Sequence, residues 1–307
     1  MKKRRFIPIV LLLAVFALYM CTKKSDVVPD DETIISGKTS ILVDETLLPI
    51  IEDQVQVFES TYKAKISLIA RSETEALQAF LKDTAKVIVL SRDLSAKEKS
   101  FFTSRGRFPK STKFASDAIA LIASKQQTDT VIDLQSVIDV MNGKQVKGIN
   151  GLVFDNPNSG TVHYMNRLAG LSAIPDKNVY SFKTNAEVVK FVSENPGMIG
   201  VIGINWVFQP TPELENYLKK TTVLSVKGIS GTTFVSPTQN NLAEGTYPLM
   251  RDIYLINAQE YEGLGIGFAS FIAGERGQRI ILKSGLLPVR VPPRKVMIRK
   301  EIEKKQY

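Results

Sequence analysis

Thr39-Ser40-Ile41-Leu42-Val43 runs straight into Asp44-Glu45-Thr46, and then into Leu47-Leu48-Pro49-Ile50-Ile51. The first five residues read as a short apolar strand. After them Leu47, Leu48, Ile51, Val55 and Phe58 recur at steps of three and four, the period of one helix face. Asp44 or Thr46 can cap that helix, with acids in its first turn. The same pairing recurs downstream. Lys65 to Ala70 is a second strand, and Ser72-Glu73-Thr74-Glu75 is a capping box that opens a helix through Leu81. Lys86 to Leu90 is a third strand ending in Ser91-Arg92, followed by a charged helix over Ala96 to Ser104. Ala118 to Ser124 is a fourth strand. Strands alternating with helices predict an α/β fold on a parallel sheet. In such sheets ligands sit beyond the carboxyl ends of the strands.

Three loops at those ends, near Thr46, Ser72 and Ser91, place hydroxyls at helix N-termini. A helix N-terminus has unpaired N–H groups and roughly half a positive charge. Several aimed at one point make an anion site. Any one of them alone is an ordinary helix cap.

The next strand–loop–helix is the most informative. Gly151 to Phe154 is a strand, Asp155-Asn156-Pro157-Asn158-Ser159-Gly160-Thr161 is the loop, and Val162, Met165, Leu168 and Ala169 mark the helix. Gly160 lets backbone approach a ligand without a Cβ in the way. Ser159 and Thr161 add hydroxyls at the helix start. Helices are also expected over Asp133 to Met141, Lys183 to Ser193 and Glu213 to Lys219. Strands are expected over Met198 to Ile204, Leu224 to Ile229 and Tyr247 to Ile256. Glu262 to Ile272 reads as helix, continued by Gly277 to Leu282.

The length of 307 residues suits two domains, and 44% apolar with 23% charged residues is a globular composition. One Cys excludes an intrachain disulfide, a cysteine zinc site and an iron–sulfur cluster. One His argues against a His-rich metal site. No cofactor or metal is expected, and no GxxxxGK[ST], HExxH or GxSxG occurs. Gly263 to Gly267 has the wrong spacing for a nucleotide loop. The net charge of +9 is confined to the ends: four bases and no acid in residues 1–20, and seven bases against Glu301 and Glu303 in residues 288–307. Between them acids and bases are equal at 29 each, so a nucleic-acid partner is not expected.

Lys2 to Arg5 followed by the charge-free run Phe6 to Met20 is a signal-peptide pattern, too short for a spanning helix. The lone cysteine, Cys21, follows at once. Leu18-Tyr19-Met20-Cys21 resembles a bacterial lipobox, in which the cysteine receives lipid. Leu18 fits; Met20 stands where a small residue is usual. A retained signal anchor, or a buried thiol, is the alternative. Residues 21–36 read as a polar tether, so the folded part starts near Gly37, outside the cytoplasm in the cell envelope. The basic tail, 291–307, reads as a solvated extension or a contact for anionic lipid.

Five stretches together resemble the phosphate-binding proteins of bacterial phosphate ABC transporters. They are Ser116-Asp117-Ala118-Ile119-Ala120; Val137 to Lys144; Asn158-Ser159-Gly160-Thr161; Asn195-Pro196-Gly197-Met198-Ile199-Gly200; and Gly277-Gln278 to Leu286-Leu287-Pro288. They fall in the family's order across residues 40 to 289. The resemblance implies a type II periplasmic binding protein: two α/β lobes joined by two crossover strands, with the ligand between them. Lobe 1 would be 37–120 plus 255–290, and lobe 2 would be 121–254. It implies a monomeric binder, not an enzyme, that hands phosphate or a similar oxyanion to an ABC permease. Its ligand residues would fall on Thr46, Ser72, Ser91, Arg92, Ser159, Gly160 and Thr161.

Two positions depart from that pattern. The family's Arg four residues before the SGT serine is here Asp155, and its Asp after the third-strand serine is here Arg92. Charge would then have changed loops, with Arg92 as the cation and Asp155, Asp44 or Glu45 as the proton acceptor. The alternatives are an Arg92–Asp155 salt bridge with a different solute in the cleft, or a surface sensing protein that has lost transport. His163 and Trp206 read first as structural residues.

Overall fold

The computed structural model describes residues 32–291. The expected signal segment, Cys21, the expected tether up to residue 31 and the tail from residue 292 lie outside the described residues.

The chain begins with β1 (Ser36–Asp44), α1 (Leu48–Thr61), β2 (Lys63–Arg71), α2 (Glu73–Leu81), β3 (Val87–Leu90), α3 (Ala96–Thr103) and the long β4 (Lys110–Ser124). It continues through β5 (Val131–Asp133), α4 (Leu134–Met141), β6 (Gly151–Phe154), α5 (Gly160–Ala169), β7 (Val179–Ser181), α6 (Asn185–Glu194) and β8 (Met198–Gly203). Next come α7 (Asn205–Phe208), α8 (Pro212–Leu218), β9 (Thr221–Val223), β10 (Ser225–Lys227), β11 (Phe234–Val235) and α9 (Gln239–Ala243). The last elements are β12 (Met250–Asn257), α10 (Leu264–Ala273), α11 (Glu275–Lys283) and β13 (Leu287–Pro288).

The strand order β2-β1-β3-β12-β4-β8-β6-β7 contains two parallel blocks, β2-β1-β3 and β8-β6-β7. Each is the sheet of one lobe. Between them lie β12 and β4, antiparallel to each other. β4 serves both lobes: residues 110–118 pair with β12, and 119–124 pair with β8 and β9. It is buried from Phe114 to Ser124, as a strand with both faces covered must be. The second crossing is the approach to β12, where the Ile119 N–H donates to the Leu249 carbonyl at 2.8 Å.

β4 starts eight residues before the expected Ala118, because β12 supplies its outer half with a partner. The expected strand over Leu224 to Ile229 is the shorter β10, and a separate strand, β9, precedes it. At Leu224 the chain leaves β4 and turns to β5. The helix expected to continue through Gly277 is broken at Gly274, whose ψ of 173° is extended. The folded part also begins before Gly37. Glu32 is buried, and it accepts the Leu264 N–H at 2.8 Å and the Tyr261 hydroxyl at 3.2 Å. The glycine run ahead of α10 is a packing feature: a Cβ on Gly267 would collide with the Ile34 carbonyl.

Candidate functional site

Strand β1 ends at Asp44, and its side chain caps the 3-10 turn that follows by accepting the Thr46 N–H at 3.1 Å. Its other oxygen, Oδ2, accepts the Gly160 N–H at 3.0 Å, at the first residue of α5. A carboxylate from lobe 1 thus sits on the N-terminus of a lobe 2 helix, where a negative charge is favoured. Gly160 is needed here. A Cβ would run into Asp44 Oδ2 and Ser91 Oγ and come within 2.9 Å of Glu73 Oε2.

A guanidinium closes the other side. Arg251 of β12 is buried, and its Nε and Nη2 donate to Asp117 Oδ2 at 3.0 and 2.8 Å. Nη1 donates to Thr161 Oγ1 at 3.1 Å and Nη2 reaches Thr46 Oγ1 at 3.5 Å. Arg251 therefore joins hydroxyls from both lobes. The Thr46 carbonyl in turn accepts Asn205 Nδ2 at 3.2 Å and Trp206 Nε1 at 2.9 Å.

The structure brings together Thr46, Ser91, Gly160, Thr161 and Asp44. It gives the other expected site residues different partners. Ser72 Oγ caps α2 in a capping box with Glu75. Ser159 caps α5 through the Val162 N–H and donates its hydroxyl to Asp155 Oδ1 at 2.6 Å. Asp155 also accepts Asn185 Nδ2 at 3.0 Å, so it braces the loop from behind. Arg92 donates to Glu73 Oε1 at 2.8 Å and forks onto Glu98 at 2.9 and 3.0 Å. No Arg92–Asp155 bridge forms. Glu45 is half-buried near Asn156.

Arg251, Glu73 and Asp117 are functional candidates that sequence reasoning did not single out. A signal existed for two of them. Arg251 falls on the inward register of β12, with Ile253 and Leu255, and Asp117 interrupts the buried run of β4. Charges on a buried strand face must be paired.

The charge balance of this cluster is negative. Asp44, Glu73, Asp117, Asp155 and Glu98 face Arg251 and Arg92. Burial pushes the Asp44 carboxyl up to about 7, with Glu73 pushing the same way and Arg251 pulling back. Burial likewise pushes Asp155 up to about 7, against the Ser159 hydroxyl bond. Burial raises Asp117 despite Arg251. For Arg251 burial favours the neutral form, but the Asp117 and Asp44 carboxylates outweigh it and hold the guanidinium charged.

Toward solvent the cleft opens into a cavity of about 760 Å³ between α2 and α5, lined by Glu73, Arg92, His163, Asn166 and Arg167. His163 Nε2 lies 2.9 Å from Thr74 Oγ1, and the Thr74 N–H donates to the Asn158 carbonyl at 3.3 Å. The two lobes are closed on each other. Among the described residues no cluster of three or more His, Cys, Asp or Glu is arranged to hold a metal, and no helix is long and apolar enough to cross a membrane.

This architecture, with a polar seat between two α/β lobes, is the type II periplasmic-binding-protein fold. The chain belongs to the PBP superfamily, whose domain matches residues 29–276. It is 24% identical over 306 residues to the phosphate-binding protein PstS of Borreliella burgdorferi, covering 94% of this chain and 99% of that one. It is 25% identical over 281 residues to PstS of Pseudomonas aeruginosa, covering 83% and 84%. The fold matches a Clostridium perfringens substrate-binding protein solved with bound phosphate, with a TM-score of 0.69 at 21% identity, covering 83% of this chain and all of that one. The type II binding-protein fold expected from the sequence is the one observed, and these relatives are binders, not enzymes.

Proposed function

We propose that the chain is an extracytoplasmic solute-binding protein that closes two lobes over a small oxyanion, phosphate or a relative of it, and delivers it to an ABC permease. Lobe 1 comprises residues 37–120 and 255–290, and lobe 2 residues 121–254. One observation carries the reading. A carboxylate oxygen is seated on the Gly160 N–H at the head of α5, beside Arg251 and the hydroxyls of Thr46, Ser91 and Thr161. Donors from four elements converge on a point that accepts an oxyanion. Because the body carries equal numbers of acids and bases, capture rests on this local arrangement, not on overall charge.

Calorimetry of the soluble body with phosphate, sulfate and molybdate tests it. Binding that weakens in Thr161→Ala is expected; no heat with any of them would overturn it. A second reading has its own support. Glu73 and Asp44 add acid to the cleft, which suits a solute bearing a cationic group, and heat with small amines but not with oxyanions would favour it. A lipid anchor at Cys21, after removal of residues 1–20, would hold the protein at the membrane. Cys21→Ser should then release it from the membrane fraction, whereas continued retention would indicate an uncleaved signal anchor.

A further inference from the structure

The seat at the head of α5 is held by part of the chain itself. Asp44 is fully buried, and its two oxygens bond to opposite lobes, Oδ1 to the Thr46 N–H and Oδ2 to the Gly160 N–H. An incoming oxyanion needs that same Gly160 N–H. It cannot share it, because two ionised groups at hydrogen-bond separation in a buried site repel too strongly for both to stay charged. Burial and Glu73 disfavour the ionised carboxylate and outweigh Arg251 and the Thr46 and Gly160 N–H groups, which favour it. Glu73 faces it from α2, Asp155 from the loop before α5 and Arg251 from β12, and Arg251 is itself committed to Asp117. Glu45 lies on the same loop, and Arg92 is taken by Glu73 and Glu98. The Ser91 hydroxyl lies beside the same Gly160 position as Asp44 Oδ2 and Glu73 Oε2.

We infer that Asp44 is a built-in competitor for the oxyanion's place: the lobes close on its carboxylate, and an oxyanion enters by displacing it as the carboxyl takes up a proton. This rests on the oxyanion reading above and adds a specificity rule to it. Anions that arrive with a proton to give, or at a pH that supplies one, are favoured over permanently deprotonated ones. It also gives Gly160 a purpose, since the N–H must be reachable by two different oxygens in turn.

The rule has a measurable size. A carboxyl that titrates near 7 is about nine-tenths ionised at about pH 8, so a competitor of this kind lowers apparent affinity about tenfold there. Asp44→Asn and Asp44→Ser remove the charge; the Ser variant also removes the reach across the lobes. Calorimetry with phosphate, sulfate and molybdate, at about pH 6 and about pH 8, compares each variant with the unaltered chain. Phosphate's own titration cancels in that comparison, and buffers of differing ionisation enthalpy count the protons. Both variants are expected to bind about tenfold tighter than the unaltered chain at the higher pH, with the gap closing at the lower pH and less proton uptake per anion. Binding by the variants alone at both pH values would overturn the inference, because the competitor requires the unaltered chain to bind at the lower pH, where its carboxyl is mostly neutral. If the unaltered chain binds an oxyanion and neither variant gains affinity or loses the proton, the competitor is overturned while the oxyanion reading stands. If none of the three binds any oxyanion, both fall. Thermal unfolding of each variant identifies one that has not folded, and the other variant then decides.

Discussion

Arg251 and Asp117 form the buried pair about which the cleft residues are arranged. Both are within a few per cent of complete burial. Removing one partner of such a pair strands a charge, at a cost of about 3–5 kcal/mol. Arg251→Ala should therefore unfold in urea at clearly lower concentration, and Arg251→Lys should lose less, because charge remains but the fork onto Asp117 and Thr161 does not. Asp155 behaves in the opposite way. Its folded pKa, about 7, lies above the unfolded value of 3.8, so the native state holds the proton more tightly. That stabilisation is fully present below the unfolded value and is lost as pH rises through about 7. Asp155→Asn should remove this loss and flatten that part of the stability curve. The amide can still accept the Ser159 hydroxyl, and Asn185 Oδ1, buried and without a partner, can accept its N–H after an amide flip. We expect the variant to match the unaltered chain below about pH 4 and to exceed it increasingly as pH rises toward 7 in urea titrations.

Helix caps set the scale of single elements. Ser72, Ser95 and Thr184 each close a capping box, with Glu75, Glu98 and Glu187. Such motifs are local, so the one at Ser72 was legible in four consecutive residues. Its function was not. The hydroxyl that looked available to a ligand accepts the Glu75 N–H and lies 2.9 Å from the Glu75 carboxylate. Ser72→Ala should lower stability by about 1 kcal/mol, and Ser72→Asn, which can still cap, by only a few tenths. If Ser72→Asn nevertheless weakens oxyanion binding, the hydroxyl has a ligand role beyond the cap. The elements that sequence reading got wrong were decided by distant partners. β4 gains its first half from β12, and the strand near Leu224 is short and preceded by another because the chain there exchanges β4 for β5. Local periodicity carries no information about which strand lies alongside.

At the scale of the whole molecule, the fold was legible and the charge of the site was not. Alternating strands and helices, together with the SGT loop, pointed to two α/β lobes. The acidic cleft is assembled from positions 44, 73, 98, 117 and 155, and the guanidinium that meets it from position 251. In a body with equal acids and bases, only the folded topology shows that five carboxylates converge. Four of these carboxylates belong to lobe 1 and the meeting of the lobes adds Asp155, and Gly160 is where closure can be tested. Its place at the first turn of α5 makes Ala compatible with the helix, while the added Cβ would overlap the short, buried side chains of Asp44 and Ser91 from the opposite lobe. Gly160→Ala should therefore hold the lobes apart without unfolding either. Trp206, the single tryptophan, reports this directly, because its indole N–H is bonded to the Thr46 carbonyl across the cleft. The expected outcome is red-shifted emission, a larger radius of gyration in solution scattering, weaker oxyanion binding and a melting temperature close to that of the unaltered chain. An unchanged radius and emission would mean that Asp44 and Ser91 move aside within a closed cleft. In that case the close approach at Gly160 does not control closure.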